Sequence, residues 1–389
     1  MEIDSQALRD TGHAYVHVPF CGRKCAYCAL YSVCDASAAE LAAYPSAVAA
    51  ELDALSRVAG ARLRPTTIYI GGGTPTLPGA RLGELLAALR SRLDLSRLAE
   101  FTVESRPEFV TPELAATLAA NGVNRVSMGV QTTDGRVLRA IGRDRSADSV
   151  PAAFANLRAA GIDNIGIDLI VGLPGASATQ TVDDIRALSS LAPAHVSVYS
   201  LIVEPGTPLA RLIESGEAQQ PDDDALMDAI AMADGALSSL GFARYEISNY
   251  AKPGRECRYN LSVWRGEDYV GLGPSASSRV GRVRWTDAPD VRAYDSAPGN
   301  GMDPPRESET QSAQDDAEGR FIFQLRLAEG CDPRAFAASH PAALALLPMW
   351  ESALAKAEAQ GLATRDGARW RLTRRGFEVA DSVIETLCT

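Results

Sequence analysis

Three cysteines stand close together near the beginning of the chain. They are Cys21, Cys25 and Cys28, in a C-x3-C-x2-C pattern within the segment YVHVPFCGRKCAYCALYS. Three thiolates on one short loop can each ligate a different iron of a cubane, which normally takes four cysteine ligands. The missing fourth thiolate therefore predicts a [4Fe–4S] cluster with one iron left for a ligand that is not part of the protein.

Zinc is the main alternative for such a cysteine group. Zinc sites usually have four tetrahedral ligands, often supplied as C-x2-C pairs. A second pair is missing from the sequence and Cys34 falls outside the common spacing, so a cluster is favoured over zinc or chance clustering. We predict that Cys34, Cys257, Cys331 and Cys388 are structural thiols, because free cysteine is often a small buried hydrophobe.

The elements that must position this loop alternate between β-branched and Ala/Leu-rich stretches. This alternation predicts an α/β fold with parallel strands and crossover helices, and six units suit a partial, open (β/α)6 TIM-like barrel. The cysteine loop follows the first strand, at the end of a barrel where active sites form. The predicted strands are 15–19, 67–72, 100–105, 125–130, 165–172 and 195–201, and the predicted helices are 38–60, 80–94, 112–121, 146–160 and 178–191.

Composition divides the chain into four parts. Residues 1–210 are predicted to form the barrel, and residues 211–296 are predicted to form an extension that closes its side. Residues 297–316 are rich in Pro, Gly, Ser and charge, which predicts a linker or exposed loop. Residues 317–389 are predicted to form a small winged-helix-like domain, with helices and a hairpin that turns at Asp366-Gly367.

Polar residues and glycines follow the ends of several predicted strands. The second strand ends in the run GGGTP at 71–75, and Glu104, Gln131 and Asp168 lie in or at the end of later strands. Side chains at the carboxyl ends of barrel strands point into the site, and consecutive glycines let a backbone approach a ligand closely. The alternative for the glycines is a simple turn, and for each polar residue a buried, hydrogen-bonded position.

Composition narrows the class of protein. The 389 residues carry a formal net charge of −11, which disfavours a nucleic-acid binder. The first fourteen residues are polar, and the sequence has no apolar run long enough to cross a bilayer. We therefore expect a cytoplasmic protein, in a compartment where thiols stay reduced and a disulfide framework is disfavoured.

The cysteine pattern after a first strand resembles the signature of the radical S-adenosylmethionine (SAM) superfamily. The segments IYIGGGTPT, NRVSMGVQT, IDLIVGLPG, YEISNYAKPG and YVGLGPSA resemble its coproporphyrinogen III dehydrogenase-like family. The resemblance implies that SAM chelates the open iron and is cleaved reductively to a 5′-deoxyadenosyl radical. It also implies cluster ligation by Cys21, Cys25 and Cys28, and SAM contacts from Tyr15, Tyr27, Gly72, Gly73, Thr74, Pro75, Glu104, Gln131, Arg143 and Asp168.

Within that family the chain is most similar to the HemW group of haem chaperones. The oxidase pattern has a fourth cysteine where this sequence has Leu30, and a long extension before the motif, whereas here the first strand is predicted at about residue 15. The resemblance thus implies haem or porphyrin binding, haem-accepting proteins and an electron donor as partners, and a homodimer. The alternative is a radical SAM enzyme, oxidase-like or methyltransferase-like, that acts on a porphyrin or another aromatic.

Two family motifs are altered in this chain. The pattern H-N-x-x-Y-W reads YNLSVW from Tyr259, and a later segment carries Ser277 where the family has histidine. The histidine is a proposed haem ligand in the family. Because haem iron also accepts tyrosine or cysteine, Tyr259 and Cys257 are the candidate replacements. His17, in the first strand, is expected to pack in the core at least as readily as to act in catalysis.

Overall fold

A computed structural model describes residues 3–77, 79–144, 146, 148–220, 222–298 and 301–388. Within these residues, twelve strands form one sheet and two more form a hairpin. The strands are β1 (His13–Val18), β2 (Thr67–Gly72), β3 (Glu100–Ser105), β4 (Arg125–Gln131), β5 (Asn164–Val171), β6 (His195–Ser200), β7 (Ala243–Arg244), β8 (Asn249–Ala251), β9 (Tyr269–Leu272), β10 (Ser277–Val280), β11 (Val283–Asp287), β12 (Arg306–Thr310), β13 (Ala363–Asp366) and β14 (Arg369–Leu372).

Helices connect and cover these strands. They are α1 (Ser5–Asp10), α2 (Ala38–Ala59), α3 (Ala80–Arg92), α4 (Pro112–Ala120), α5 (Gly135–Ala140), α6 (Ser149–Ala159), α7 (Gln180–Ser189), α8 (Pro208–Glu214), α9 (Asp223–Ser239), α10 (Arg258–Trp264), α11 (Val291–Ser296), α12 (Ala313–Phe323), α13 (Pro333–Ser339), α14 (Leu347–Ala359), α15 (Arg374–Glu378) and α16 (Ala380–Glu385). The predicted α/β fold is confirmed, since β1 to β6 are consecutive parallel neighbours.

Local sequence explains where the elements begin and which way they face. Helix α2 starts in a capping box, in which the Ser37 hydroxyl accepts from the Glu40 amide at 3.2 Å and the Glu40 carboxylate accepts from the Ser37 amide at 2.7 Å. In β1, Val16 and Val18 are buried in the main apolar core. Because strand side chains alternate, Tyr15 points to the opposite face, into the barrel.

The extension adds strands to both edges of the parallel sheet. Strand β9 pairs in parallel with β1, and β10 to β12 continue the sheet from there. Strand β8 pairs antiparallel with β6 at the other edge. Residues 211–296 therefore contribute strands to both edges of the parallel sheet.

Helix α10 fills the amino-terminal end of the barrel. The carboxylate of Glu100, the first residue of β3, accepts hydrogen bonds from the amides of Arg258 at 3.0 Å and Tyr259 at 3.1 Å. A carboxylate at a helix amino terminus satisfies amides that have no partner within the helix. The helix thus forms a plug at the opposite end of the strands from the cysteine loop.

The predicted linker at 297–316 is not a linker throughout. It contains β12, which pairs with β11 along five residues, and α12 begins at Ala313; residues 299 and 300 lie outside the described part. The strand was missed because its side chains after Arg306 are exposed and polar. An exposed, charged edge strand has no apolar alternation to identify it.

Strand β12 is anchored by a buried ionic network. Arg306 lies 2.6 Å from Glu51 and 2.9 Å from Asp287, and both carboxylates are nearly inaccessible. The hydroxyl of Tyr294 also donates to Glu51, at 2.6 Å. Burial, and next the Glu51 charge, raise the pKa of Asp287 to about 9.

We expect Arg306→Met to lower the free energy of unfolding by about 3–5 kcal/mol, because it leaves buried carboxylates without a cation. Chemical denaturation at pH 8 measures the effect. The matched control is Arg292→Met, since Arg292 pairs with Glu40 at the surface and should change stability by less than about 1 kcal/mol. Equal effects of the two substitutions would contradict the assignment of the anchor.

The carboxyl-terminal part has its own apolar core. Phe321 stacks on Trp350 with ring centroids 4.0 Å apart, and the Trp350 indole donates to the Leu387 carbonyl at 3.1 Å. The β13–β14 hairpin closes at the pair Asp366 and Arg369, so its turn lies one residue later than predicted. Gly367, with a φ of 61°, supplies the left-handed conformation of that turn.

In the part of the chain that the structure describes, no helix combines the length and apolar character needed to cross a membrane.

Candidate functional site

A cavity of about 630 Å³ opens at the carboxyl ends of the parallel strands. It brings together the three clustered cysteines with nine of the ten residues predicted to contact SAM. The lining residues are Cys21, Arg23, Lys24, Cys25, Tyr27, Cys28, Ala29, Leu30, Ser32, Gly72, Gly73, Thr74, Pro75, Glu104, Ser105, Arg106, Gly129, Gln131, Arg143, Asp168, Ile170, Tyr199, Ser200, Leu201 and Ile202.

Main-chain hydrogen bonds hold the cysteine loop at the cavity wall. The Cys21 amide donates to the Val33 carbonyl at 3.0 Å, and the Ala26 amide donates to the Ile141 carbonyl at 3.0 Å. The Ala26 carbonyl in turn accepts from the Leu209 amide at 2.8 Å. The loop is therefore held by a bond to its own carboxyl-terminal part and by bonds to two distant segments, and these contacts do not depend on a bound metal.

The three thiols line one cavity. Among the described residues, no three His, Cys, Asp or Glu side chains converge on a point where one metal ion could bind. A zinc ion needs such convergence, whereas a cubane places each thiolate on a different iron. Burial raises the pKa of Cys21 and Cys28, so without metal these two sulfurs favour the protonated form.

Arg143 connects the cysteine loop to the fourth strand. Its Nε donates to the Cys25 sulfur at 3.1 Å and its Nη1 donates to the Gly129 carbonyl at 2.5 Å. A guanidinium carries a permanent positive charge. The side chain can therefore neutralise charge at the cysteine loop while being held by β4.

The glycine run packs directly against the cysteine loop. A Cβ on Gly73 would lie 2.7 Å from the Phe20 carbonyl oxygen and 3.1 Å from the Cys21 sulfur. Gly72 has a φ of 111°, and a Cβ there would lie 2.8 Å from the Val18 carbonyl oxygen. Side chains at these two positions would collide with the cysteine loop, so glycine is required for the loop to pack here. This requirement is separate from any need for a ligand to approach the backbone.

Two carboxylates form the floor of the cavity. Glu104 accepts from the Tyr69 hydroxyl at 2.7 Å, and burial raises its pKa to about 7. Asp168 accepts from Ser197 at 2.7 Å and from Ser127 at 3.1 Å, and burial raises its pKa as well. Buried carboxylates of this kind favour a cationic ligand, which would restore their ionised forms.

Gln131 has an unusual backbone conformation. Its φ is 67°, and the register between β4 and β5 shifts between Gly129 and Gln131. A non-glycine residue in the left-handed region costs about 1–3 kcal/mol and is concentrated at functional sites. A β-bulge re-aims side chains in the same way, and here it turns Gln131 toward the cavity that it lines.

Tyr15 is the predicted SAM contact that the structure does not bring to the cavity. Its hydroxyl lies 3.0 Å from His17 Nδ1, and burial raises its pKa. Its ring lies 6.2 Å from those of both Tyr69 and Tyr259. Tyr15 therefore belongs to an aromatic layer beneath the floor, and His17 packs with it in the core.

The two candidate replacements for the family histidine lie in the plug. Cys257 is fully buried and its thiol donates to Glu100 at 3.5 Å. The Tyr259 ring packs 5.2 Å from that of Tyr69, and burial raises the pKa of both side chains. Neither side chain lines the cavity.

Sequence reasoning missed an apolar lip beside the cysteines. Leu30 is 53% exposed and Ile202 is 67% exposed, and both line the cavity with Tyr199. Large exposed apolar side chains grouped at a cavity mouth are typical of binding surfaces. The sequence contained one signal for this lip. Residues 199–202 lie at the end of the sixth strand, as Glu104 and Asp168 lie in or at the end of earlier strands.

Comparisons with known proteins agree with this geometry. The model of the radical SAM superfamily matches residues 15–188, and that of the HemN C-terminal domain matches residues 311–379. The protein named heme chaperone HemW in Mycobacterium tuberculosis (strain H37Rv) is 37% identical over 380 residues, 96% of this chain and 94% of that protein. Its namesake in Escherichia coli (strain K12) is 33% identical over 95% of this chain and 96% of that protein.

A solved structure shares the fold over nearly the whole chain. It is the coproporphyrinogen III oxidase HemN from Escherichia coli, described as a radical SAM enzyme, with a TM-score of 0.84. The match covers 99% of this chain and 92% of that one, at 22% identity. At this identity the likeness establishes the predicted fold and leaves activity to the residues of the site.

Proposed function

Because this chain belongs to the radical SAM superfamily and, within it, to the family of proteins named heme chaperone HemW, we propose that it binds a [4Fe–4S] cluster and SAM in the cavity and delivers haem to acceptor proteins. The observation that carries the proposal is the meeting of three thiols with two buried carboxylates in one cavity. Such a site suits a metal cluster beside a cationic cofactor.

Cys21, Cys25 and Cys28 would hold three irons of the cluster, which when bound with SAM supplies reductive cleavage of the sulfonium. The loop is held by hydrogen bonds to segments outside it, so the thiols are positioned before metal arrives. Arg143, which donates to Cys25, would offset the negative charge of the ligated cluster. Because the motif supplies only three thiolates, one iron would have no protein ligand and would be open to SAM.

Glu104 and Asp168 would receive the positively charged cofactor. SAM carries a sulfonium and an ammonium group, and a nearby cation lowers the pKa of a buried carboxylate. Their present partners are hydroxyls of Tyr69, Ser127 and Ser197, which orient the carboxylates without neutralising them. The cofactor would therefore complete an electrostatic arrangement that the protein alone leaves unbalanced.

Delivery of haem is proposed from the printed names of the relatives and from the apolar lip. Leu30, Ile202 and Tyr199 give the cavity mouth an exposed apolar surface next to the cluster loop. The surface of an acceptor protein would bury this area. Haem-accepting proteins and an electron donor are the partners that this function requires.

A reconstitution experiment tests the proposal. The full chain is loaded anaerobically with iron and sulfide, reduced with dithionite and given SAM, and 5′-deoxyadenosine is measured with and without coproporphyrinogen III. We expect SAM cleavage that coproporphyrinogen III does not stimulate, together with haem transfer to a haem-free acceptor. Porphyrinogen-dependent turnover would instead establish an oxidase, and the absence of both cleavage and transfer would refute the proposal.

We expect Tyr259→Phe and Cys257→Ala to leave the haem dissociation constant within about twofold of the parent. Both side chains lie in the plug and neither lines the cavity, and Cys257 is fully buried. Spectroscopic haem titration of each variant measures this, with circular dichroism to verify folding. A loss of haem binding in a folded variant would contradict this prediction and identify that residue as a candidate haem ligand.

A further inference from the structure

Two arginines face each other on neighbouring strands outside the cavity described above. Arg279 of β10 and Arg284 of β11 are directly paired in the antiparallel register. Side chains at such opposed positions have Cβ atoms about 4.5–5.5 Å apart, and like charges there are destabilising. Some compensating negative charge is therefore expected close to both guanidinium groups.

Among the described residues, neither arginine forms an ion pair with a carboxylate. Arg279 is 2% exposed and its Nη2 donates to the Glu267 carbonyl at 3.1 Å, but its Nε is buried without a hydrogen-bond partner. The Nε of Arg284 is buried without a partner in the same way. No carboxylate in this part of the chain lies within 4.0 Å of either guanidinium, so two cations are held together with donors unused.

The nearest acidic side chains are occupied by a third arginine. Arg320 of α12 lies 2.8 Å from Asp316 and 2.7 Å from Asp268. Burial, and next the charges of Arg320 and Arg284, lower the pKa of Arg279 to about 10. The surroundings of Arg279 therefore have a positive potential that nearby acids do not cancel.

The paired arginines line a second cavity, of about 480 Å³, between the β9–β12 sheet and helix α12. Tyr269 and Phe323 form apolar walls, each with its ring centroid 6.0 Å from the Arg279 guanidinium. Glu307 and Glu309 stand at the exposed edge strand that borders the cavity. Their charges disfavour an extended polyanion, so the occupant is a small anionic group.

We propose that this second cavity binds a carboxylate or phosphate group between Arg279 and Arg284, and that in haem delivery this group is a propionate of haem. The anion would accept charge-assisted hydrogen bonds from the two guanidinium groups, which are among the strongest such bonds. Haem combines two carboxylates with a planar apolar body, which suits walls of tyrosine and phenylalanine. The anion site stands independently, whereas naming haem as its source rests on the proposed function.

The first test uses inorganic phosphate and propionate as probes. Each is titrated into the full chain, and the melting temperature is followed for the parent, Arg284→Gln and the control Arg282→Gln, which removes the same charge from an exposed position of the same hairpin. We expect either anion to raise the melting temperature of the parent and of the control, and to have no effect on Arg284→Gln. No rise in the parent, or an equal rise in Arg284→Gln, would overturn the site.

Glu309 offers a second variant that does not disturb the arginines. It is paired with Arg284 in the strand register but makes no ion pair with it. We expect Glu309→Gln to bind phosphate several-fold more tightly, because a repelling charge is removed from the rim. Unchanged phosphate affinity together with lower stability would mean that Glu309 itself neutralises Arg284, and would overturn the proposal.

The last arm compares haem with its dimethyl ester, in which both propionates are uncharged. We expect the parent to bind haem about tenfold more tightly than the ester, and Arg284→Gln to bind both with the affinity of the ester. If the parent bound haem and the ester with equal affinity, haem would not be the source of the anion. The existence of the anion site would still be decided by the phosphate titration. Failure of every variant to bind haem would refute the proposed function, again independently of the phosphate result.

Discussion

Replacing Cys21, Cys25 and Cys28 together with alanine should reduce the iron bound after anaerobic reconstitution from about four atoms per chain to about zero. Cleavage of SAM should fall to the background rate. The three sulfurs are the only thiols that line the cavity among the residues that the structure describes. Iron and sulfide analysis, and the electron paramagnetic resonance signal of the reduced protein, measure the loss.

The fold should survive this triple substitution, because the loop is held through its main chain by Val33, Ile141 and Leu209. The thermal unfolding curve of the metal-free variant should therefore match that of the metal-free parent. Cys34→Ala is the control, since Cys34 is an exposed thiol near the loop. Four irons retained by the triple variant, or iron lost from the control, would contradict the assignment of the ligands.

Glu104→Gln should make the cofactor-free protein more stable and at the same time impair its affinity for SAM. Burial raises the pKa of Glu104 from an ordinary value of 4.5 to about 7 in the folded state. The folded state then binds more protons than the unfolded state between these values, so stability falls as the pH rises through that window and stays low above it. At pH 8 the variant should gain roughly 1–3 kcal/mol, and at pH 4.5 almost nothing.

The affinity for SAM should change in the opposite direction. Loss of a charged acceptor should raise the dissociation constant about 10- to 100-fold at pH 8. In the parent the affinity should improve from pH 6 to pH 8 as Glu104 ionises, whereas in the variant it should be flat. Denaturation curves and calorimetric titration at several pH values measure both effects.

Glu358→Gln, at an exposed position of α14, is the matched control for both measurements. It should leave the pH dependence of stability and of SAM affinity unchanged. A Glu104 variant that is no more stable than the parent at pH 8 would show that the carboxylate is already compensated in the folded protein.

The parallel strands were the part of the fold that sequence could predict well. Strands β2 and β3 span the predicted residues 67–72 and 100–105. Both are short runs of β-branched and aromatic residues between helical segments, and their order alone implies parallel pairing. Residues at their carboxyl ends, such as Glu104, were placed in the cavity for the same geometric reason.

The position of an inward-facing side chain along the barrel axis could not be predicted from the sequence. Alternation along β1 places Tyr15 on the inner face, but whether it meets a cavity or a packed layer depends on what fills the barrel below. The filling comes from α10, whose position is set by Glu100 on a strand distant in sequence. The position of Tyr259 could not be predicted for the same reason, because a family motif on a helix does not reveal which way the helix enters.

The exposed edge and the apolar lip were missed for a different reason. Strand β12 gains its stability from main-chain pairing and from one anchor, Arg306, which leave no pattern in the other side chains. Leu30 and Ile202 are single apolar residues in loops. Scattered exposed apolar residues are normal on any protein, and only their proximity in space gives them meaning.

The long-range pairing of the first strand affects how the protein is made. Strand β1 lies between β2 and β9, with His13 opposite Thr67 on one side and Tyr269 on the other. During synthesis the first pairing becomes available early, while the second, together with the plug α10, must wait until about two thirds of the chain has left the ribosome. The nascent barrel therefore has an open base for much of translation, and folding is completed only when this late segment arrives.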